Sequence, residues 1–414
     1  MNVPWLLLAV VVSSGVGQSI REESIEKQNT AFKRWWGSDF VWKFETLPLS
    51  ASVATERVPY SGYIYPDNRG GTGNTLRKYD AAFNAGSLRA TSWEQWDTTA
   101  YQRPIQQAVR GGFFRGRGSY RTVYATPGWH GHCNGWTAAA IRHAEPQQSV
   151  IRNGVQFTPA DIKALLAEIY MYNDTLMLDG AEGSIHPGVL HAVLGNWLGR
   201  GLHPVAMEAE PGEEKWNYPI YAYRSTVGRR STNRVEVRTT ITYAGNSNGE
   251  FQESPRLRRT RYFHYELQLD EAGAIVGGSY YRDSSQIDML WVPLGPKEPG
   301  QPGNQRGNPH VSVAEVLAIW RESTSDELRK NWSVVDAPAQ ERLLASNATS
   351  SEGAALVPNP PVDSPAENRA STDVASDPAN TNSDAASPPP AAVPATPAAA
   401  ENTAPTTTES GSTN

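Results

Sequence analysis

The sequence predicts an α+β domain over residues 20–345, and three features of the pattern carry that expectation. The first is a strongly signalled helix beginning at Thr158-Pro159-Ala160-Asp161. Thr can cap, Pro suits the first turn, and Asp suits the positive end of the helix dipole. Apolar residues at Ile162, Leu165, Leu166, Ile169 and Tyr170 continue it at helical spacing. The second is a change to alternation between residues 219 and 292, where Arg234–Tyr243 and Arg261–Leu269 read as strands with one buried face. The third is the turn Asp270-Glu271-Ala272-Gly273 before Ala274-Ile275-Val276, which reads as a hairpin in an antiparallel sheet. Ser312-Val313-Ala314-Glu315 has the form of a capping box and predicts a last short helix. Pro296–Pro309, rich in Pro and Gly, reads as a mobile loop, and no internal repeat is visible.

Both ends differ from this middle. Residues 1–19 read as a secretory signal peptide: Trp5–Val12 is a short apolar run followed by small residues, with a cut expected between Gly17 and Ser19. The run is far short of the ~20 apolar residues needed to span a bilayer, and no other run is long enough. A secreted, periplasmic or cell-surface location is therefore expected. Residues 346–414 are dominated by Ala, Pro, Ser, Thr and Asn, with no aromatic residue from Ser351 onward. Such a tail cannot bury enough apolar surface to offset its ordering entropy, so disorder is expected.

Composition narrows the function. A formal net charge of -6 argues against nucleic acid as the main partner, because phosphate binding needs a basic face. The basic clusters Arg110, Arg115, Arg117, Arg121 and Arg256, Arg258, Arg259, Arg261 read as solvated faces. Thirteen Trp and seventeen Tyr suit a large mixed core and an aromatic groove. The single cysteine, Cys133, excludes an intrachain disulfide. A lone thiol outside the cytosol is an oxidation liability, which favours a chemical reason for it over the alternative of an inert buried residue.

Its neighbourhood supports that. Pro127-Gly128-Trp129-His130-Gly131-His132-Cys133-Asn134-Gly135-Trp136 is a glycine-punctuated loop running into the small-residue segment Thr137–Ile141. A helix starting at Cys133 would present free N–H groups and a positive dipole end to the sulfur. That lowers a thiol pKa from its usual ~8.5 and can form an oxyanion hole. A thiolate catalyst also needs a base, usually His, held by a third polar group. His130 and His132 stand too close to the cysteine in sequence to be dependable partners and are expected to line the loop. His191, within His186-Pro187-Gly188-Val189-Leu190-His191-Ala192-Val193-Leu194, is the preferred base, and Asn217, in Lys215-Trp216-Asn217-Tyr218-Pro219, the residue that would fix its tautomer. Trp129, Trp136 and Trp216 are expected to shield the groove and bind substrate. Zinc on His130, His132 and Cys133, with His186 and His191 from elsewhere, is a weaker reading, since no paired ligand spacing is present. Asp270, Glu271, Asp283 and Asp288 lie near turns but in no calcium-loop pattern.

Four blocks together resemble the transglutaminase elicitor family, known from secreted oomycete cell-wall proteins. They are Val58–Pro66; Gly131–Ile141; His186–Gly188 and His191–Leu194 with Glu214–Pro219; and Tyr265–Asp270 with Ile275–Gly278 and Asp288–Trp291. The resemblance implies a papain-like, transglutaminase-like core in which a helix carrying the nucleophile packs on an antiparallel sheet. It also implies calcium-dependent acyl transfer from a protein glutamine to a lysine or other amine acceptor. It maps Cys133 as nucleophile and His191 as base, with Asn217, or a carboxylate such as Glu213 or Glu214, as third member. Tyr218 stands where the family's elicitor peptide has Gln, so plant recognition is not implied. A papain-like peptidase or amidase, or a non-catalytic surface-binding module, are the alternatives.

Overall fold

In the computed structural model, residues 18–100, 102–109, 119–180 and 184–333 are described. The apolar N-terminal run, Arg110, Arg115 and Arg117 and the whole Ala/Pro/Ser/Thr tail lie outside them. The helices are α1 (Glu22–Trp36), α2 (Gly73–Phe83), α3 (Arg89–Thr99), α4 (Cys133–Arg142), α5 (Pro159–Tyr170), α6 (Pro187–Val193), α7 (Val313–Ser323) and α8 (Asp326–Ser333). The strands are β1 (Gln18–Ser19), β2 (Ser50–Ser52), β3 (Arg103–Val109), β4 (Ser119–Ala125), β5 (Val150–Arg152), β6 (Val155–Phe157), β7 (Thr175–Asp179), β8 (Val205–Glu208), β9 (Asn217–Ser231), β10 (Arg234–Ala244), β11 (Arg258–Leu269), β12 (Ile275–Tyr280) and β13 (Met289–Pro293).

A mixed helix-and-sheet architecture results, built on a curled antiparallel sheet. Its order is β1-β12-β11-β10-β9-β8-β13-β7, with β2 added on β9. β3–β4 and β5–β6 form separate two-stranded ribbons. The alternation in the sequence locates β10 and β11, which pair from Arg234↔Gln268 to Ala244↔Arg258 without a break. Capping locates α5: Thr158 and Asp161 bond reciprocally as a capping box, and Pro159 opens the helix. Ser312 caps α7 by accepting from Glu315 N–H. Pro296–Pro309 is a tied loop within the domain, with Asn304 Nδ2 donating to Lys297 O and Asn308 Nδ2 to Ala90 O.

Strand alternation also divides the interior into two cores. On β8, Val205 and Met207 face one core while Ala206 faces the other. On β13, Leu290 and Val292 oppose Trp291 in the same way. The first core holds Phe32, Trp35 and Trp197 with α6 and the inward residues of β10 and β11. The second holds α4, α5, α7 and the apolar side of α2. Which side of β8 and β13 a residue occupies therefore decides which other residues it can meet. No helix among the described residues is long and apolar enough to cross a membrane.

Candidate active site

The loop before α4 is fixed by backbone contacts to the segment after Val58. Asp67 N–H donates to His130 O (3.1 Å) and His132 N–H to Ile64 O (2.6 Å). Gly131 is required here, since a Cβ on it would lie 2.6 Å from Ile64 O and 2.9 Å from Tyr65 O. Two blocks that are about 70 residues apart in sequence thus meet directly behind the cysteine. Cys133 is the first residue of α4, and α4 lies close on α5. A Cβ on Gly135 would come within 2.1 Å of Ala167 O, and Ala138, Ala139 and Ala140 are buried. α4 also packs against β8, β9 and β13.

Cys133, Asp67, Trp129, His130, Asn217 and Trp291 line a cavity of about 450 Å³, with Lys215 at its side and Met177 and Met289 on its wall. The Sγ atom lies 3.5 Å from Lys215 O and 3.6 Å from Asn217 Nδ2. Asn217 is itself held, because its Oδ1 accepts from Trp291 Nε1 at 3.0 Å. Burial pushes the Cys133 thiol above its ordinary pKa. The backbone and side-chain N–H groups of Asn217 and the Asn134 N–H oppose that rise, and the Glu208 carboxylate adds to it. The lowering expected from a helix N-terminus is therefore outweighed by burial. Lys215 pairs with Asp288 and lies 3.7 Å from the fully buried Glu208. His130 packs against Trp129 with the rings tilted and their centroids 4.1 Å apart, and burial holds its pKa below the usual value. A somewhat larger cavity, about 530 Å³, opens beside Glu145, Arg256 and Trp332, but its lining offers no cysteine, serine or histidine.

Behind the loop that carries Cys133 sits a buried polar cluster. His132 Nε2 lies 3.2 Å from Glu168 Oε2 and 3.6 Å from Glu94 Oε1, and its Nδ1 lies 3.9 Å from Asp67 Oδ1. Burial alone would lower the His132 pKa, but Glu94, Glu168 and Asp67 carry it up to about 10. Burial, and then Glu168, push Glu94 up, and burial lifts Asp67 to about 6. Calcium, which the family resemblance implies, takes about six to eight oxygen ligands. A cluster centred on an imidazole nitrogen does not fit it.

The structure separates several of the expected partners. His191 lies in the first core: its Nδ1 meets Tyr265 Oη at 2.9 Å and its ring stacks on Phe44. The sheet stands between that core and Cys133, so the expected Cys133–His191 pair is not brought together. Asn217 consequently orders Cys133 and Trp291 rather than an imidazole. Glu213 pairs with Arg103 and Glu214 accepts from Trp216 Nε1, both away from His191. Trp129 lines the cavity as expected, whereas Trp136 is buried beneath Gly62 and Trp216 is not on the cavity wall. Asp67 escaped the sequence reading, while Lys215, Asp288 and Trp291 were quoted there without a place beside Cys133. His130 was visible in the loop before Cys133, and only its nearness in sequence spoke against it.

The model of the transglutaminase elicitor family matches residues 110–181, a span that contains Cys133, α4 and α5. No curated protein matches the chain. Among solved structures, the GP42 transglutaminase from Phytophthora sojae is similar, with a TM-score of 0.59 and 20% identity over 74% of this chain and 99% of that one. At that identity the likeness concerns the fold. Over residues 110–181, which include the Cys133 loop, the chain is thus similar to the transglutaminase elicitor family, and its architecture is similar to that of the GP42 transglutaminase.

Proposed function

We propose that the chain is an exported, cysteine-dependent acyltransferase of the transglutaminase kind, with Cys133 as nucleophile. The observation that carries this is a cavity lined by Cys133 at the start of a buried helix, by the Asn217 amide that contacts its sulfur, and by His130. The papain-like core, protein substrates and extracellular location belong to the same proposal. The Cys133 sulfur attacks a glutamine carboxamide carbon, and the developing oxyanion is met by N–H donors near the sulfur. His130, on the same cavity wall, accepts the thiol proton and returns it to the departing ammonia. A lysine amine then attacks the thioester, losing its proton by the same route and restoring the thiol. Water in place of the amine would give the hydrolytic outcome, so exclusion of water by Trp129 and Trp291 decides between them.

A non-catalytic, surface-binding reading has one observation in its favour: burial raises the Cys133 thiol, and no histidine is seen hydrogen-bonded to it among the described residues. One experiment separates the readings. The purified chain is incubated with a glutamine-containing protein and a labelled amine, with and without calcium, beside Cys133→Ser. Incorporation by the wild type alone is expected. Ammonia release or fragmentation without label would favour hydrolysis, and silence in every arm the binding role.

A further inference from the structure

The His132 cluster has the donor set and the supporting shell of a metal centre, and the mechanism above makes no use of it. His132 Nε2, Glu94 Oε1 and a Glu168 oxygen converge with all ligand atoms within 4.8 Å of one another, and all three residues are buried. Their spacings of 3.2 and 3.6 Å from the imidazole nitrogen are close to the ~3.0–3.5 Å between ligands that each stand ~2.1 Å from one ion.

We infer that Glu94, His132 and Glu168 form a site for a divalent first-row transition ion of the zinc or manganese kind. One imidazole and two carboxylates suit such ions and leave positions open for water, whereas calcium selects oxygen alone.

Three independent features point to a ligand. Glu94 is fully buried and its Oε2 has no hydrogen-bond partner. His132 Nδ1 and Asp67 Oδ1 face each other at 3.9 Å, both buried and neither hydrogen-bonded. That is the arrangement by which a metal-bound histidine gives its second N–H to a carboxylate once the ring is drawn into place. The ligating carboxylates are themselves oriented from outside. Thr72 N–H donates to Glu94 Oε1 (2.8 Å), and Glu168 accepts from Thr72 Oγ1 (2.7 Å) and Asn308 Nδ2 (3.1 Å). An ion here occupies the place of the proton on Nε2. Because His132 directly precedes Cys133, it would pin the start of α4. Its binding does not depend on the acyl-transfer proposal.

The test uses the full chain, stripped with a chelator and desalted after exposure to Zn²⁺, Mn²⁺ or Ca²⁺, with metal content measured by mass spectrometry. About one Zn²⁺ or Mn²⁺ per chain is expected, with no retained Ca²⁺ and with a rise in unfolding temperature. Glu94→Gln and Glu168→Gln, checked for cooperative unfolding, should each weaken binding at least about tenfold. Thr72→Val should weaken it less. Should the variants fail to fold, Co²⁺ loaded into the wild type keeps the test open. A spectrum without thiolate charge-transfer bands, identical in Cys133→Ser, is expected. No retained ion, folded glutamine variants that bind as tightly as wild type, or a cobalt–thiolate band lost in Cys133→Ser would each overturn the assignment.

Discussion

At the residue scale, the cavity divides the polar groups into those that can act on Cys133 and those that cannot. Asn217 is in the first group, so Asn217→Ala should lower turnover by about a hundredfold, the effect of losing one donor at a developing oxyanion. The same change orphans Trp291 Nε1 and should lower stability by about 1–3 kcal/mol. Rates and denaturant midpoints measured on one preparation separate the two effects. His130 and His191 make a sharper comparison, because sequence favours one and geometry the other. His130→Ala should remove most label incorporation, whereas His191→Gln should keep it within about threefold while lowering the midpoint, since His191 bonds only into the first core. The reverse pattern would restore His191 as base and reject the sheet as a barrier between them. Sequence could not reveal this. The apolar neighbours of His191 predict burial, but the face of the sheet on which α6 packs is set by pairings from β8 to β12.

At the element scale, legibility follows locality. α5 could be read from its own cap and spacing, and β10 and β11 from their own alternation, because each signal lies within about a dozen residues. The His132 cluster was invisible for the opposite reason: Asp67, Glu94 and Glu168 come from three separate segments, and only the packing of α3 and α5 around the Cys133 loop assembles them. The α4–α5 crossing shows what that packing demands. Gly135 meets the Ala167 carbonyl so closely that an added methyl would fall 2.1 Å from the oxygen, and backbone cannot rotate away as a side chain would. Gly135→Ala should therefore force the helices apart at a cost of about 3 kcal/mol and displace Cys133 with them. Both unfolding midpoint and incorporation rate should fall together. An unchanged midpoint would show that the crossing is looser than described.

At the scale of the whole molecule, folding holds several imidazoles away from water without their protons. Burial pushes His191 down to about 4 and His203 to about 3, and His143 well below its usual value. The sign follows from which state binds the proton. Above about pH 6.5 these rings are neutral folded or unfolded, so their contribution to stability is fully present. As pH falls from there, the unfolded chain takes up protons that the folded chain refuses, and stability drops until the folded pKa is reached. For His191 that window runs from about 6.5 to about 4. Asp67, raised to about 6, titrates over part of it with the opposite sign, so the total curve is not diagnostic. The difference between wild type and His191→Gln is, because all other groups cancel. Urea unfolding at pH 7.5 and pH 4.5 should show the wild type losing up to about 2.5 kcal/mol more than the variant over that interval, which covers most of the His191 displacement. Parallel pH profiles for the two proteins would mean that His191 gains a proton in the folded state, and that the first core is open to water around Tyr265.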